Sequence, residues 1–232
     1  MNLLALDTST EQMSIAVQRA GVSTPWQHSA AGGAHSSTHL IPEIQQLLAQ
    51  ADLSFAQLDA IVFGAGPGSF TGLRTACSVA QGLAFGADLP VLPVDTLLAV
   101  AEEARWQLSG ASGLVVTSLL DARMDELYTA SYIFESDVWR QIKGCSLIKP
   151  ESLGWDGVGV LAGNGFAAYG ARLPDGPGLR LLALPTATAM LRLAPALLAA
   201  GGAVPAAQAL PTYIRDKVAQ TTLERAAAKS AA

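Results

Sequence analysis

One order of hydrophobic patterns occurs twice in this chain, and it restricts the possible folds more than any other feature. A continuous apolar run ends at Asp7, and a second one ends at Asp121, 114 residues later. In each case a strand of alternating apolar and polar residues begins six positions after the aspartate, at Met13 and at Leu127. Two unrelated α/β halves would also look alike at this level, but the equal spacing favours two copies of one βββ-then-αβ unit. The sequence therefore predicts an α/β protein with two mixed sheets flanked by helices.

Three helices are predicted in the first half of the chain. Leu40 and Ile44 belong to an apolar stripe with the i, i+3/i+4, i+7 spacing of an amphipathic helix over residues 36–51. Two further helices are expected over 69–85 and 96–107, joined by a short strand. This order of elements is the αβα part of the repeated unit.

The composition changes between the two copies and again at the end of the chain. Residues 106–113 are rich in Gly and Ser, which indicates a boundary between halves. We therefore predict an N-terminal subdomain over 1–108 that carries the partner-binding helices and a C-terminal subdomain over 109–225. The alanine-rich segment 226–232 is expected to be a frayed tail.

Composition and charge exclude several classes of protein. Half of the 232 residues are hydrophobic and only 14% are charged, which excludes intrinsic disorder. The net charge of −5 and the pI near 5.1 argue against tight, direct binding of a nucleic acid. Two cysteines and the absence of a basic leader favour the reducing cytoplasm. The longest uncharged stretch, 193–214, contains three prolines, so we expect no membrane span.

A glycine-rich corner precedes the second predicted helix. Gly64, Gly66 and Gly68 occupy three of five positions before Ser69. Such a corner can present backbone N–H groups to an anion. However, no lysine follows as in a P-loop, and Ser69 stands where a G-x-G-x-x-G motif has its last glycine. Ser69 also lacks the flanking glycines of a nucleophile elbow. Phosphate binding and a tight structural turn both remain open.

The helix predicted over 69–85 has no clearly water-facing side. Arg74 is its only charged residue. Its two faces consist of Leu73, Ala76, Cys77, Ala80 and Ala84 on one side and of Thr75, Val79, Gly82 and Leu83 on the other. Because a helix on a sheet normally leaves one polar face to solvent, we expect another protein or a second copy of this chain to cover it. Burial of the whole helix within its own chain is the alternative.

Six segments form a recognisable combination that spans most of the chain. They are residues 4–10 (LALDTST), His35-Ser36 with 40–42 (LIP), 66–74 (GPGSFTGLR), 121–128 (DARMDELY), 163–165 (GNG) and 211–215 (PTYIR). In this combination the sequence resembles the TsaB family, also called YeaZ, which is an accessory component of N6-threonylcarbamoyladenosine synthesis on tRNA. The resemblance implies a duplicated fold of the actin-like and Hsp70-like kind, built from ribonuclease H-like βββαβα units, in agreement with the internal repeat.

The resemblance also implies protein partners. These are a catalytic paralogue, TsaD, an ATPase, TsaE, and a second copy of the chain when it is alone, with tRNA met only indirectly through the complex. In TsaD a metal site of the form HxxxH follows the matching helix, and its histidine positions fall here at Thr96 and Val100, which cannot replace imidazole ligands. The resemblance thus implies a non-catalytic scaffold that docks the TsaD-type paralogue through helices 36–51 and 69–85. The residues expected in this interface are His35, Leu40, Ile44, Leu73, Arg74, Ala76, Cys77 and Ala80.

An autonomous enzyme, either an actin-like ATPase or a metal-dependent hydrolase, is the alternative function. Asp7, Thr8 and Ser9 look like the first phosphate loop of actin-like ATPases, and with Gly66 and Gly68 they form a candidate vestigial phosphate loop. The equivalent segment of the second half lacks the hydroxyl groups and the small glycine of a second phosphate loop. We therefore expect no resident cofactor, with weak nucleotide binding left open and simple capping of strand ends as the other explanation.

Two histidines and a glutamate around the start of the first predicted helix have the spacing of a metal site. His35, His39 and Glu43 are spaced four residues apart, which suits metal ligands on one helix face. Pro42 interrupts that turn, and the sequence offers no carboxylate to orient the histidines. We expect no metal at these residues.

Overall fold

The computed structural model describes residues 1–33, 36–110 and 112–215 of the chain. The strands in this part are Leu3–Asp7 (β1), Gln12–Gln18 (β2), Trp26–Ala31 (β3), Ala60–Gly66 (β4), Pro90–Asp95 (β5), Leu114–Asp121 (β6), Leu127–Glu135 (β7), Val138–Ile148 (β8), Val160–Gly163 (β9), Leu179–Leu181 (β10) and Val204–Pro205 (β11). The α-helices are Ser36–Gln50 (α1), Phe70–Ala87 (α2), Thr96–Gln107 (α3), Gly165–Tyr169 (α4) and Ala187–Ala199 (α5). The three helices predicted from the sequence are confirmed to within two residues. The tail predicted at 226–232 lies outside the described residues.

The two sheets repeat one topology. The first has the order β11-β5-β4-β1-β2-β3 and the second the order β10-β9-β6-β7-β8. In both, the first three strands form an antiparallel meander, the fourth strand pairs in parallel with the first, and the fifth pairs in parallel with the fourth. Among the strands of the described ranges, only β11 has no counterpart in the second sheet. The predicted duplication and the predicted fold class are confirmed.

The first sheet is covered on both faces, and the sequence of β1 reflects this. Leu4 and Leu6 point into a core shared with α1 and α2, whereas Leu3 and Ala5 point into a core shared with α5. A strand buried on both sides needs a continuous apolar run rather than an alternating one. This explains the uninterrupted hydrophobic run that precedes Asp7.

The two halves exchange helices across the boundary between the sheets. α3, which follows the first sheet, packs against β6, β7 and β9 of the second sheet, and α5, which follows the second sheet, packs against β1, β2 and β4 of the first. α3 and α5 also contact each other between the sheets. A division of the chain at residue 108 leaves β11 of the first sheet in the second half of the chain, and it does not describe this exchange of helices.

Among the described residues, none of the helices is both long enough and apolar enough to span a lipid bilayer.

Candidate functional site

Six of the eight residues expected to contact a partner lie in the core of the chain itself. These buried residues are Leu40, Ile44, Leu73, Ala76, Cys77 and Ala80. They form the faces of α1 and α2 that cover the first sheet. The small residues of α2 allow the helix to lie close to the sheet, so their apolar surface is buried within the chain itself. The prediction that these six residues form the interface is therefore wrong, and His35 lies outside the described residues.

The opposite face of α2 is exposed and nearly free of charge. Arg74, the one remaining predicted interface residue, lies on it, together with Thr71, Ser78 and Gly82. Near the end of the helix, Phe85 is 81% exposed. A shallow groove of about 400 Å³ runs along this face, between Phe70 and Val79. We call this surface, made by the exposed residues of α2 from Thr71 to Phe85, the docking face.

The face of α1 next to it is also uncharged at most exposed positions. Ile41 is 42% exposed although its helix neighbours Leu40 and Ile44 are fully buried. Glu43 lies on the half-buried side, where its carboxylate is 3.5 Å from Nδ1 of His28 on β3. The exposed residues of α1 include Pro42, Gln45, Gln46 and Ala49. α1 and α2, which contact each other, therefore present outer faces with little charge, on which Arg74 of α2 is an exposed cation.

Arg74 is held in place by two aromatic residues. Its Cζ lies 3.8 Å from the centroid of the Phe70 ring, and its Nε donates to the hydroxyl of Tyr213 at 3.1 Å. The Phe70 and Tyr213 rings are 5.3 Å apart. The guanidinium at the edge of the docking face is thus fixed before any partner arrives, which lowers the entropy cost of contacting it. The partnership of Phe70 with Tyr213 was missed because it joins segments that are far apart in sequence.

A cleft of about 480 Å³ opens between the two halves of the molecule. Residues at the carboxyl ends of β1, β4, β6 and β9 form part of its walls, so the two copies of the repeat face each other across the cleft. Binding sites in sheets of this kind form at the carboxyl ends of parallel strands. The residues that line it include Ser9, Glu11, Gly68, Phe70, Asp121, Arg123, Asn164, Tyr213 and Arg215.

The two segments that carry the candidate phosphate-loop residues are packed closely against each other at the edge of the cleft. Thr8 Oγ1 donates to the carbonyl oxygen of Gly72 at 2.6 Å, and the backbone N–H of Ser69 donates to the carbonyl oxygen of Ser9 at 2.7 Å. A Cβ atom added to Gly68 would lie only 2.6 Å from that same Ser9 oxygen. The loop glycines therefore permit close contact between two backbone segments.

Gly66 also permits a close contact between backbone segments, and two of the candidate loop residues line the cleft. A Cβ atom on Gly66 would lie 2.5 Å from the carbonyl oxygen of Thr212, and its φ of +121° suits only glycine. Of the five candidate loop residues, Ser9 and Gly68 still line the cleft. Weak nucleotide binding there stays a prediction.

Asp7 is completely buried at the end of β1. Its Oδ1 accepts hydrogen bonds from the backbone N–H and the hydroxyl of Ser9, at 3.0 and 2.8 Å. Its Oδ2 has no partner among the described residues and lies where a Cβ atom on Gly64 would be. Burial raises the pKa of Asp7 to about 7, and the two hydrogen bonds from Ser9 offset this only in part.

The equivalent residue of the second half, Asp121, has a full set of local partners. Its Oδ1 accepts from the backbone N–H of Arg123 at 2.8 Å and from the hydroxyl of Tyr169 at 2.9 Å, and its Oδ2 pairs with the Arg123 guanidinium. Asp125 pairs with Arg172. Both acidic groups are thus held in ion pairs around the turn between β6 and β7.

The repeated sheet order and the cleft between the two copies define a duplicated, ribonuclease H-like protein of the actin-like class. The family model described as "TsaD: tRNA N6-adenosine threonylcarbamoyltransferase" matches residues 22–230. The chain is 38% identical to the TsaB protein of Haemophilus influenzae and 35% identical to that of Escherichia coli, over 94% of its length and 95% and 96% of theirs. The chain belongs to the TsaB family, also called YeaZ.

Solved structures agree with this assignment. The chain is similar to YeaZ from Pseudomonas aeruginosa, with 38% identity and a TM-score of 0.81 over 91% of this chain and 99% of that one. A second Pseudomonas aeruginosa structure, described as similar to peptidase YEAZ, gives 37% identity and a TM-score of 0.83 over 92% and 99%. The family and the fold therefore rest on sequence and structure independently.

Proposed function

We propose that this chain is an accessory, non-catalytic subunit in the synthesis of N6-threonylcarbamoyladenosine on tRNA, where it binds a TsaD-type catalytic paralogue through α1 and α2. The names of the Haemophilus influenzae and Escherichia coli relatives place those proteins in threonylcarbamoyladenosine biosynthesis on tRNA. The observation that carries the docking proposal is the exposed, nearly uncharged outer side of α2, with Arg74 fixed at its edge. A surface of this composition loses little free energy of hydration when another helix pair covers it.

The absence of catalysis is supported by what occupies the equivalent positions in this chain. Thr96 and Val100, which stand where the resemblance places two metal-binding histidines, are fully buried at the start of α3. Thr96 Oγ1 donates to the carbonyl oxygen of Pro67 in the glycine corner. Both side chains thus belong to the packing between α3 and its neighbours, where a metal-bound water has no room.

The same surface accounts for the other partners in the proposal. When the paralogue is absent, the docking face of a second copy is the closest substitute, so the chain forms homodimers. A TsaE-type ATPase joins the resulting assembly, and the net charge of −5 leaves contact with tRNA to the other subunits.

The assembly works in the cytoplasm and the chain itself holds no cofactor. Calorimetric titration of Mg-ATP into the isolated chain is the direct test of that last point, and micromolar binding with turnover would overturn it.

Co-purification with the catalytic paralogue tests the docking proposal. Ser78→Arg places a large charge in the middle of the docking face, where the side chain is exposed and the fold does not depend on it. We expect this variant to lose the paralogue while its melting temperature stays within about 2 °C of the original. The control is Ser152→Arg, the same change at an exposed serine of the second half.

One pair of outcomes supports docking on α2 and another contradicts it. If Ser152→Arg keeps the paralogue and Ser78→Arg loses it, the partner binds on α2. If Ser78→Arg and Arg74→Glu both co-purify with the paralogue in normal yield, the docking proposal is wrong.

A further inference from the structure

The segment 209–215, which we call the strap, joins the first half of the molecule to the second. At its start, the carbonyl oxygen of Ala209 accepts from Gln81 Nε2 of α2 at 2.9 Å. In its middle, the backbone N–H of Thr212 donates to the carbonyl oxygen of Ala65, near the end of β4, at 2.6 Å. The strap is therefore fastened to the helix that carries the docking face.

At its other end the strap is fastened to the turn between β6 and β7. Nη2 of Arg215 donates to the carbonyl oxygens of Ala122 at 3.1 Å and Arg123 at 3.3 Å, and to Glu126 Oε2 at 2.6 Å. The Arg215 side chain is only 11% exposed. A buried guanidinium that binds two backbone carbonyls and a carboxylate fixes the geometry of the turn it contacts.

This turn needs such support because its backbone conformation is unusual. Arg123, Met124 and Asp125 have φ angles of 59°, 54° and 67°. Three consecutive non-glycine residues in the left-handed region are sterically disfavoured and persist only where their surroundings hold them. The hydrogen bonds from the N–H of Ala122 to the carbonyl oxygen of Glu126 and from the N–H of Glu126 to that of Arg123 close the turn. The turn forms one wall of the cleft.

A continuous series of contacts therefore runs from the docking face to the cleft. Arg74, exposed on α2, is bonded to the Tyr213 hydroxyl, and Tyr213 lies two residues before Arg215 on the strap. Any protein that covers the docking face meets Arg74 and the Phe70–Tyr213 ring pair at its edge.

We propose that the strap couples the two surfaces, so that a protein bound on the docking face sets the conformation of the left-handed turn in the cleft. Arg215 is a positioning residue in this device, and Tyr213 connects it to α2. A partner that contacts Arg74 in only one arrangement of the strap stabilises that arrangement. The conformational equilibrium of the turn then shifts by the same coupling free energy. The response to a partner rests on the proposed function, but the internal coupling does not.

Amide hydrogen exchange of the full chain tests the internal coupling. Tyr213→Phe removes only the hydroxyl that accepts from Arg74, and Tyr213→Ala removes the ring contact with Phe70 as well. We expect exchange at the N–H groups of Ala122 and Glu126 to become faster by roughly tenfold in Tyr213→Ala and by a smaller factor in Tyr213→Phe, with β2 unaffected. Leu210→Ser, at a strap residue that is 71% exposed, is the control and leaves exchange in the turn unchanged.

The results separate coupling from local support. If Arg215→Ala speeds exchange in the turn and neither change of Tyr213 does, Arg215 holds the turn alone and the coupling is wrong. If Tyr213→Ala speeds exchange in β2 as strongly as in the turn, exchange in Tyr213→Phe is compared with that in the original chain instead. An unchanged exchange rate in the turn of Tyr213→Phe then also overturns the coupling.

A second arm adds the purified catalytic paralogue. We expect its binding, at a paralogue concentration that saturates both proteins, to change exchange in the turn of the original chain but much less in Tyr213→Phe. An equal response in both overturns the coupling. Loss of binding by the original chain would instead contradict the proposed function and leave the first arm standing.

Discussion

Gly72 and Gly82 lie on the same helix, ten residues apart, and have opposite surroundings. A Cβ atom added to Gly72 would lie 1.8 Å from the carbonyl oxygen of Thr8, whereas one added to Gly82 meets nothing within 4 Å. Gly72→Ala must push two backbone segments apart, so we expect it to lower the free energy of unfolding by about 1–3 kcal/mol. Gly82→Ala only removes chain entropy from the unfolded state, so it should raise the free energy of unfolding by about 0.5–1 kcal/mol. Urea unfolding of both variants measures the difference, and effects of the same sign would contradict this interpretation of the glycine loop.

Asp7 gives a second prediction for a single residue. Burial raises its pKa to about 7 in the folded chain from the ordinary value of 3.8, so between these values the folded state holds a proton that the unfolded state has lost. The unfolding free energy therefore falls as the pH rises from about 4 to about 7, by roughly 4 kcal/mol in total from this group, and levels off above pH 7. Asp7→Asn keeps an oxygen for Ser9 and carries no charge, so it should become more stable than the original chain as the pH rises from 5 to 8.

Denaturant unfolding at several pH values measures this effect as the difference between variant and original. A matched control at the exposed Asp88, where Asn suits the left-handed φ of 54°, removes one carboxylate without touching the core. A difference between Asp7→Asn and the original chain that does not change between pH 5 and pH 8 would contradict the raised pKa.

At the scale of the elements, the sequence predicted the positions of the helices but not which side of α2 meets the sheet. Periodicity defines both faces of a helix equally well when neither is charged. The face with Ala76 and Ala80 was expected to contact a partner, whereas the structure packs these small residues against the first sheet. Exposed Ser78 and Thr71, on the other face, are the better sequence signal for the solvent side.

The contacts that organise the candidate site could not have been predicted from local patterns. The bond from Arg74 to Tyr213 joins residues 139 positions apart, and the strap reaches across both halves of the chain. Nothing in the sequence near 209–215 specifies which turn it supports, because the segment has neither helical nor strand periodicity. The left-handed turn at Arg123 was equally hidden, since none of its three residues is a glycine.

At the scale of the whole molecule, the duplication was predictable and the exchange of helices was not. The spacing from Asp7 to β2 and from Asp121 to β7 is local information, and it repeats. That α3 packs on the sheet that follows it, and α5 on strands from the start of the chain, depends on tertiary contacts for which spacing gives no signal. The exchange means that neither half is complete without a helix from the other.

Glu102 lies where the exchanged helices meet and is the centre of a buried ionic network. From α3, its carboxylate accepts two hydrogen bonds from Arg105 at 2.8 and 2.9 Å, one from Arg192 of α5 at 2.8 Å and one from Trp139 of β8 at 3.0 Å. Burial raises the pKa of Glu102, but these hydrogen bonds outweigh burial and hold that pKa below its ordinary value. The ionised form therefore joins elements of both halves.

Glu102→Gln tests whether this network holds the halves together. The variant keeps the shape of the side chain but leaves Arg105 and Arg192 without their shared carboxylate, so we expect a loss of about 3–5 kcal/mol in the free energy of unfolding. Glu135→Gln is the control: its carboxylate is half-exposed and 3.6 Å from Arg140, and such a pair contributes at most about 1 kcal/mol. Urea unfolding of the two variants at neutral pH measures both losses. Because α3 and α5 connect the sheets, the loss in Glu102→Gln should appear as one cooperative transition, and separate unfolding of the two halves would contradict their interdependence.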